Sequence, residues 1–218
     1  MTDKITKQLL EEGASEVGFS AVTPPPEYSA LTNAVSIVVH LSDAVIDTVE
    51  NGPTHTYFHH YRTVNAFLDR LALSAGLLLE KAGGKYVCVP ASQSTQGFSG
   101  LFSHKQAAVR AGLGTIGKSA LFLSNRFGPR VRLATVLTDL DLSAGFRPMS
   151  DKNPCKTCSI CTKACPAMAI SGKTFEEAGN HILDRAACST HMKQAYQKIG
   201  RGAVCGICVS VCPVGKNR

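Results

Sequence analysis

The reading of this chain turns on Cys155-Lys-Thr-Cys158-Ser-Ile-Cys161-Thr-Lys-Ala-Cys165-Pro166, whose second half returns as Cys205-Gly-Ile-Cys208-Val-Ser-Val-Cys212-Pro213. Eight of the nine cysteines fall after position 154, at gaps of two and three residues. The start, Met1-Thr2-Asp3-Lys4, lacks the basic-then-apolar layout of a secretory signal. No apolar run approaches the roughly 18–20 residues that cross a bilayer. The expected address is the cytoplasm, where thiols stay reduced, so clustered cysteines read as metal ligands rather than disulfides. Zinc on paired CxxC motifs is one alternative. A third Cys at the same two-residue gap, followed by x3-Cys-Pro and written twice, argues against it.

The first run matches that of the bacterial ferredoxins, in which three cysteines from one loop hold one [4Fe-4S] cube and the fourth reaches a second cube. The expected wiring therefore crosses over. Cys155, Cys158, Cys161 and Cys212 hold one cluster, and Cys165, Cys205 and Cys208 hold three corners of the other. The simple repeat would place the missing ligand at position 202, where a glycine stands. Cys188, supplied from an insertion and followed by a helix-like stretch, completes the count of eight. Its bland reading is a buried small hydrophobe, the reading we give Cys88 on its apolar strand.

Charge follows the cysteines. Residues 1–150 hold 13 Lys and Arg against 12 Asp and Glu, whereas residues 151–218 hold 10 against 4. Each oxidised cube with its thiolates carries about −2, so two of them offset much of the local excess. A basic face for nucleic acid becomes optional.

At 218 residues, 44% hydrophobic and 18% charged, the chain has bulk for a globular core. Helical spacing over Ile5–Leu10, a strand over Val17–Val22 and a buried β-branched strand over Ala34–Leu41 open the sequence. A long helix from Val64 to Ala82 follows, then a strand over Lys85–Val89 and a polar stretch over Ala91–Gly100. A short helix over His104–Ala111, a glycine loop over Gly112–Gly117 and a strand over Val131–Thr138 complete an α/β or α+β layer pattern. Polar Ser150–Pro154 is the expected seam. The glycine loop, Gly112-Leu-Gly114-Thr-Ile116-Gly117-Lys118-Ser119, fits both GxGxxG and GxxxxGK[ST]. Each pattern requires a preceding strand, and a helix precedes this one, so neither nucleotide reading passes. Three glycines in six residues still imply a close backbone approach.

Taken with the cysteine block, Arg110–Asp139 (RAGLGTIGKSALFLSNRFGPRVRLATVLTD) resembles the epoxyqueuosine reductases and their relatives, the reductive dehalogenases. The resemblance implies an α+β chain: a nitroreductase-like α/β core over 1–150 that binds cobalamin, followed over 151–218 by a small ferredoxin-like domain with two [4Fe-4S] clusters. By position, Gly112, Gly114, Ile116, Gly117 and Lys118 would lie against the cofactor. His104, just ahead of the loop, would contact an anionic or corrin-amide group or else be a solvated helix residue.

Two departures stand out. Those enzymes place an acidic proton donor just before a Tyr-His pair, where this chain has His59-His60-Tyr61-Arg62, with His60 in the acid's place. An imidazolium is a competent general acid near neutral pH, and Tyr57 and Tyr61 are neighbours that could share the role; the plainer reading is that these residues begin a surface helix. The family's helical-repeat region, which helps hold tRNA, has no counterpart before Arg218, which puts a tRNA substrate in doubt. Arg130 and Arg132, in or beside a buried run, face either a polar cofactor or an ion-pair partner.

Three functions are open on the residues alone. One is a reductase moving electrons from two clusters to cobalamin for a small or modified organic substrate. The second carries FMN on the same core. The third is a non-catalytic electron carrier or subunit of a larger redox complex. All require an electron donor such as ferredoxin or flavodoxin, and none requires a membrane; the oligomeric state is left open.

Overall fold

The computed structural model describes residues 1–93, 98, 100–200 and 202–216; the middle of the polar stretch 91–100 lies outside the described residues. Backbone contacts group the chain into two units that interleave in sequence. One comprises Met1–His40, Val64–Gly114 and Arg132–Asp151, the other Leu41–Thr63, Thr115–Val131 and Lys152–Arg218.

In the first unit, Thr2–Glu11 (α1) buries Thr2, Ile5 and Leu9, one stripe at spacings of three and four. Glu16–Ala21 (β1) runs antiparallel to Asn33–His40 (β2), pairing Val17 with Ile37 and Phe19 with Val35. Asp43–Ile46 (α2) and the first turns of the long helix His55–Lys81 (α3) belong to the second unit; the rest of α3, Tyr86–Val89 (β3) and His104–Arg110 (α4) belong to the first. Gly114–Ile116 (β4) and Phe122–Ser124 (β5) form a two-stranded sheet, and Val131–Thr138 (β6) follows.

The main sheet has the order β1-β2-β6-β3, with β3 antiparallel to β6. Its two central strands are the β-branched runs Ala34–Val39 and Val131–Thr138, nearly all buried, as strands covered on both faces must be. One cluster of the core joins Val22, Leu31, Ala34, Val89, Ala107 and Leu137. Each Val or Leu side chain among them contributes about 1.5–3 kcal/mol through burial.

Helix α3 starts nine residues before the apolar spacing does. Its later part buries Val64, Leu68, Leu71, Ala72, Ala75 and Leu79, the amphipathic stripe visible in sequence. Residues 55–63 belong to the second unit and are held by different contacts, described below. The glycine loop also differs from a simple turn: Gly114–Ile116 is a strand of a hairpin, so no helix follows the glycines and both nucleotide patterns fail on each flank. Asp139, at the end of β6, accepts the Lys85 backbone N–H at 2.7 Å, a structural task.

The cysteine block carries Ile160–Ala164 (α5), Phe175–Ala178 (α6), Arg185–Tyr196 (α7) and Ile207–Ser210 (α8). Among the described residues no helix is long and apolar enough to cross a membrane.

Candidate metal centre

The insertion between Cys165 and Cys188 is a closed excursion. Ile170 and Leu183 bridge antiparallel at its neck; the Ser171 N–H donates to the Ile182 carbonyl at 2.9 Å and that of Asp184 to the Ala169 carbonyl at 2.8 Å. A capping box of Thr174 and Glu177 starts α6 inside it. The chain thus returns to its point of departure. Asp184 then caps α7, its carboxylate accepting the Ala187 N–H at 2.9 Å, which sets Cys188 in the first turn of that helix rather than ahead of it.

All eight cysteines of the block are reduced and half-buried, and their electrostatics sort them into two fours. Burial pushes the Cys212 thiol up to about 11, with the charges of Cys155, Cys161 and Cys158 adding to the shift; burial likewise raises Cys161, helped by Cys155 and Cys158. A cavity of about 70 Å³ is lined by these same four together with Lys118 and Leu123. In the other group burial raises Cys188, with Cys165 adding, and raises Cys205, with Cys188 and Cys165 adding. Cys208, the most deeply placed, is raised by burial and by Cys205, Cys188, Cys161 and Cys165. Cys161 therefore lies within reach of both fours, and the two groups adjoin.

No three His, Cys, Asp or Glu side chains among the described residues converge tightly enough to hold a single ion; the thiols of each four stand in one another's field without meeting at one point. Iron in each group would replace the mutual thiolate repulsion with metal–sulfur bonding, since a bound cation inverts the local pKa logic. The donor set, eight reduced soft ligands in two fours, fits two clusters of the [4Fe-4S] type.

The residues proposed to touch a core cofactor are largely engaged by the chain itself. A Cβ on Gly112 (φ +73°) would meet the Pro148 carbonyl oxygen at 2.5 Å, and one on Gly117 would come 3.3 Å from Cys155 Sγ. Lys118, 8% exposed, donates through Nζ to the carbonyls of Lys156 at 3.1 Å and Cys158 at 3.2 Å. It pins the first cysteine loop and lays a cation on the wall of that cavity. Gly114 is buried and Ile116 half-buried on β4.

His104 sits in the first unit with both ring nitrogens committed: Nδ1 lies 2.9 Å from Thr135 Oγ1, and Nε2 lies 2.9 Å from the Pro90 carbonyl. The pairing assigns Nε2 as the N–H donor and Nδ1 as the acceptor of the threonine hydroxyl. Burial holds this imidazole neutral, its pKa pushed down to about 4 in spite of the Pro90 carbonyl, with the Arg132 charge assisting. An unfolded histidine titrates near 6.5, so between about pH 6.5 and 4 only the unfolded chain takes up this proton. The contribution is complete above about 6.5 and is lost progressively toward 4, on the order of 3 kcal/mol in all. The ring-proton NMR shift of His104 should stay constant from pH 7 to 5; a midpoint near 6.5 would contradict this.

The helix bearing Tyr57, His60 and Tyr61 serves the second unit. Tyr57 is 4% exposed and packs on Gly206, between Cys205 and Cys208. A Cβ there would come 2.7 Å from the ring, and the glycine's φ of +84° disfavours any other residue. Phe58 fills the equivalent space over Gly200. His60 Nε2 accepts the Ser42 N–H at 3.0 Å, ahead of α2. The Tyr61 ring is tilted 56° to that of Tyr57, with centroids 6.4 Å apart. Arg130 is 1% exposed and ion-paired, to Asp43 and Asp47 at 2.7 Å each, while Arg132 donates to Asn65 Oδ1 at 2.9 Å. Cys88 is a half-buried thiol pushed up to about 11 by burial, with Asp69 adding, and is correspondingly unreactive.

Residues 154–215 match the 4Fe-4S double cluster binding domain, so this segment is a domain for two [4Fe-4S] clusters. The chain's relatives carry the resemblance read from the residues. A tetrachloroethene reductive dehalogenase of Desulfitobacterium hafniense is 27% identical over a gapped alignment of 225 positions that covers 97% of this chain and 39% of that protein. Epoxyqueuosine reductases match about half of this chain. Among solved structures, a reductive dehalogenase whose structure suggests a mechanism for B12-dependent dehalogenation aligns with a TM-score of 0.74 at 19% identity, over 98% of this chain and 31% of that one. The epoxyqueuosine reductase of Streptococcus thermophilus aligns at 0.62 and 20%, over 100% and 67%. These likenesses show a shared mixed α/β fold. The chain spans about two-fifths of the length of the dehalogenases it matches in sequence.

Proposed function

We propose that this chain is an iron–sulfur reductase that passes single electrons through two [4Fe-4S] clusters to a cobalamin held by a nitroreductase-like core over residues 1–150, with residues 151–218 supplying the cluster ligands. The carrying observation is the sorting of the eight cysteines into Cys155/Cys158/Cys161/Cys212 and Cys165/Cys188/Cys205/Cys208. That sorting supports the crossed wiring expected of an electron conduit, and the adjoining of the two fours through Cys161 and Cys208 suits transfer between them. The cobalamin reading rests on the B12-dependent relative; the flavin alternative has no such support. Cobalt bound in the core would supply reductive chemistry on a small or modified organic substrate.

This chain's own residues would then act as follows. Lys118 fixes the Cys155–Cys158 loop and offsets thiolate charge on the cavity wall. Tyr57 braces the Cys205–Cys208 loop through Gly206. Tyr61 is the group we propose for proton delivery, on the helix turn that His60 ties to the Ser42 N–H through Nε2. Gly112, Gly114 and Gly117 shape the loop whose Ile116 we propose to meet the cofactor, and His104 stiffens the core of the first unit. We place the protein in the cytoplasm, with a small-molecule substrate and a ferredoxin or flavodoxin as electron donor.

Visible spectroscopy of anaerobically purified protein titrated with cob(II)alamin at micromolar concentration tests the proposal. Corrin bands that stay with the protein through gel filtration are expected above broad iron–sulfur absorption. Retention of FMN instead would move the function to a flavin reductase. Retention of neither would make the chain an electron carrier or a subunit of a larger redox complex.

A further inference from the structure

We infer that His191 donates a hydrogen bond from Nε2–H to a sulfur of the second cluster, the one on Cys165, Cys188, Cys205 and Cys208, and thereby raises that cluster's reduction potential relative to the first. This rests on the two-cluster reading above and is independent of the cobalamin.

His191 Nε2 is buried and has no hydrogen-bond partner among the described residues. A buried N–H without an acceptor costs about 1–3 kcal/mol, so an acceptor supplied by a bound group is its natural complement. The position says which group. His191 lies three residues after Cys188 on α7, and residues at that spacing share one helix face. Its ring stands edge-on to that of Tyr196, with centroids 5.4 Å apart and planes at 82°. Tyr196 in turn is anchored, its hydroxyl donating to the Asn51 carbonyl at 3.3 Å. It also feels the second four: burial raises its phenol pKa and the Cys205 charge adds to the rise. The imidazole is thus held between the helix that presents Cys188 and a ring that senses Cys205, with its buried Nε2 unmatched among the described residues.

The acceptors at that place when the cluster is bound are thiolate and inorganic sulfide. Adding one electron makes the cube and its ligands more negative by one charge, and a fixed N–H stabilises the reduced form more than the oxidised one. No proton need move, since a neutral imidazole suffices as donor. Hydrogen bonds to ligand sulfurs are a recognised lever on cluster potential.

Redox titration of the anaerobic holoprotein, with dithionite as reductant and EPR as readout, tests this. The second cluster's signal is assigned as the one missing from Cys188→Ala. In His191→Leu its reduction equilibrium should move about tenfold toward the oxidised form, which is about 59 mV for one electron, at unchanged iron content and with the first cluster unmoved. His191→Gln, which keeps an N–H donor, should recover most of the difference. An unchanged second midpoint in His191→Leu at full iron, or equal shifts of both clusters, would overturn the assignment. Should His191→Leu lose iron, the unaltered protein decides. With ¹⁵N-histidine, electron–nuclear double resonance on the reduced second cluster should show a histidine nitrogen coupling, and its absence would overturn the inference. Absence of any cluster signal in the unaltered protein would instead mean that the two-cluster reading itself has failed.

Discussion

Cys188→Ala should halve the iron of the anaerobic protein, from about eight atoms per chain to about four, and remove one of two EPR signals. Cys165→Ala and Cys205→Ala should remove the same signal, whereas Cys155→Ala and Cys212→Ala should remove the other. The prediction is sharp because Cys188 stands outside both motifs and reaches its partners only through the closed insertion, necked by Ile170 and Leu183, and the cap that starts α7 at Asp184. Cys88→Ala, on a strand of the first unit, should change neither signal. Full iron in Cys188→Ala would show that the fourth ligand lies elsewhere.

Removing both carboxylates that face Arg130, as Asp43→Asn with Asp47→Asn, should destabilise the holoprotein by about 3 kcal/mol, the lower end of the cost of orphaning a buried charge. The guanidinium is buried, with 2% of its side chain exposed, while its partners keep 42% and 61%. The loss is therefore dominated by the stranded cation, whose Nε already has no partner among the described residues. Burial alone would lower the Arg130 pKa, yet the hydrogen bonds it donates to Asp47 and Asp43, with their charges, more than reverse it. Arg130→Met removes the charge along with its need for partners and should cost less than the double Asn variant. Urea-unfolding midpoints followed by circular dichroism would rank the two. A double Asn variant within about 1 kcal/mol of the parent would show that the pair is no more than a surface bridge. The effect should reach the second cluster, since the segment after α2 accepts the Ser210 hydroxyl on the Val49 carbonyl at 2.6 Å and that of Tyr196 on the Asn51 carbonyl.

What could be read in the sequence and what could not divides along the range of the interactions. The β-branched runs at Ala34–Leu41 and Val131–Thr138 announce central strands because burial on both faces leaves a local record. The cysteine gaps announce clusters because ligand geometry is set within a few residues, and Cys188 follows from counting. The first turns of α3 leave no such record. His55 to Thr63 show no amphipathic stripe because Tyr57 and Phe58 pack on Gly206 and Gly200, far along the chain. Lys118 reads as a phosphate-loop or cofactor lysine, yet its acceptors are backbone carbonyls 38 and 40 residues later, which no pattern marks. His191 had one available signal, its three-residue spacing from Cys188, and that spacing acquires meaning only once Cys188 is a ligand.

The most direct test of the central claim is a joint determination of iron, acid-labile sulfide and Mössbauer parameters on ⁵⁷Fe-enriched protein prepared without oxygen. The account predicts about eight iron and eight sulfide per chain, with spectra of two [4Fe-4S] clusters. A colourless protein, one holding zinc, or one that saturates at about four iron would contradict it.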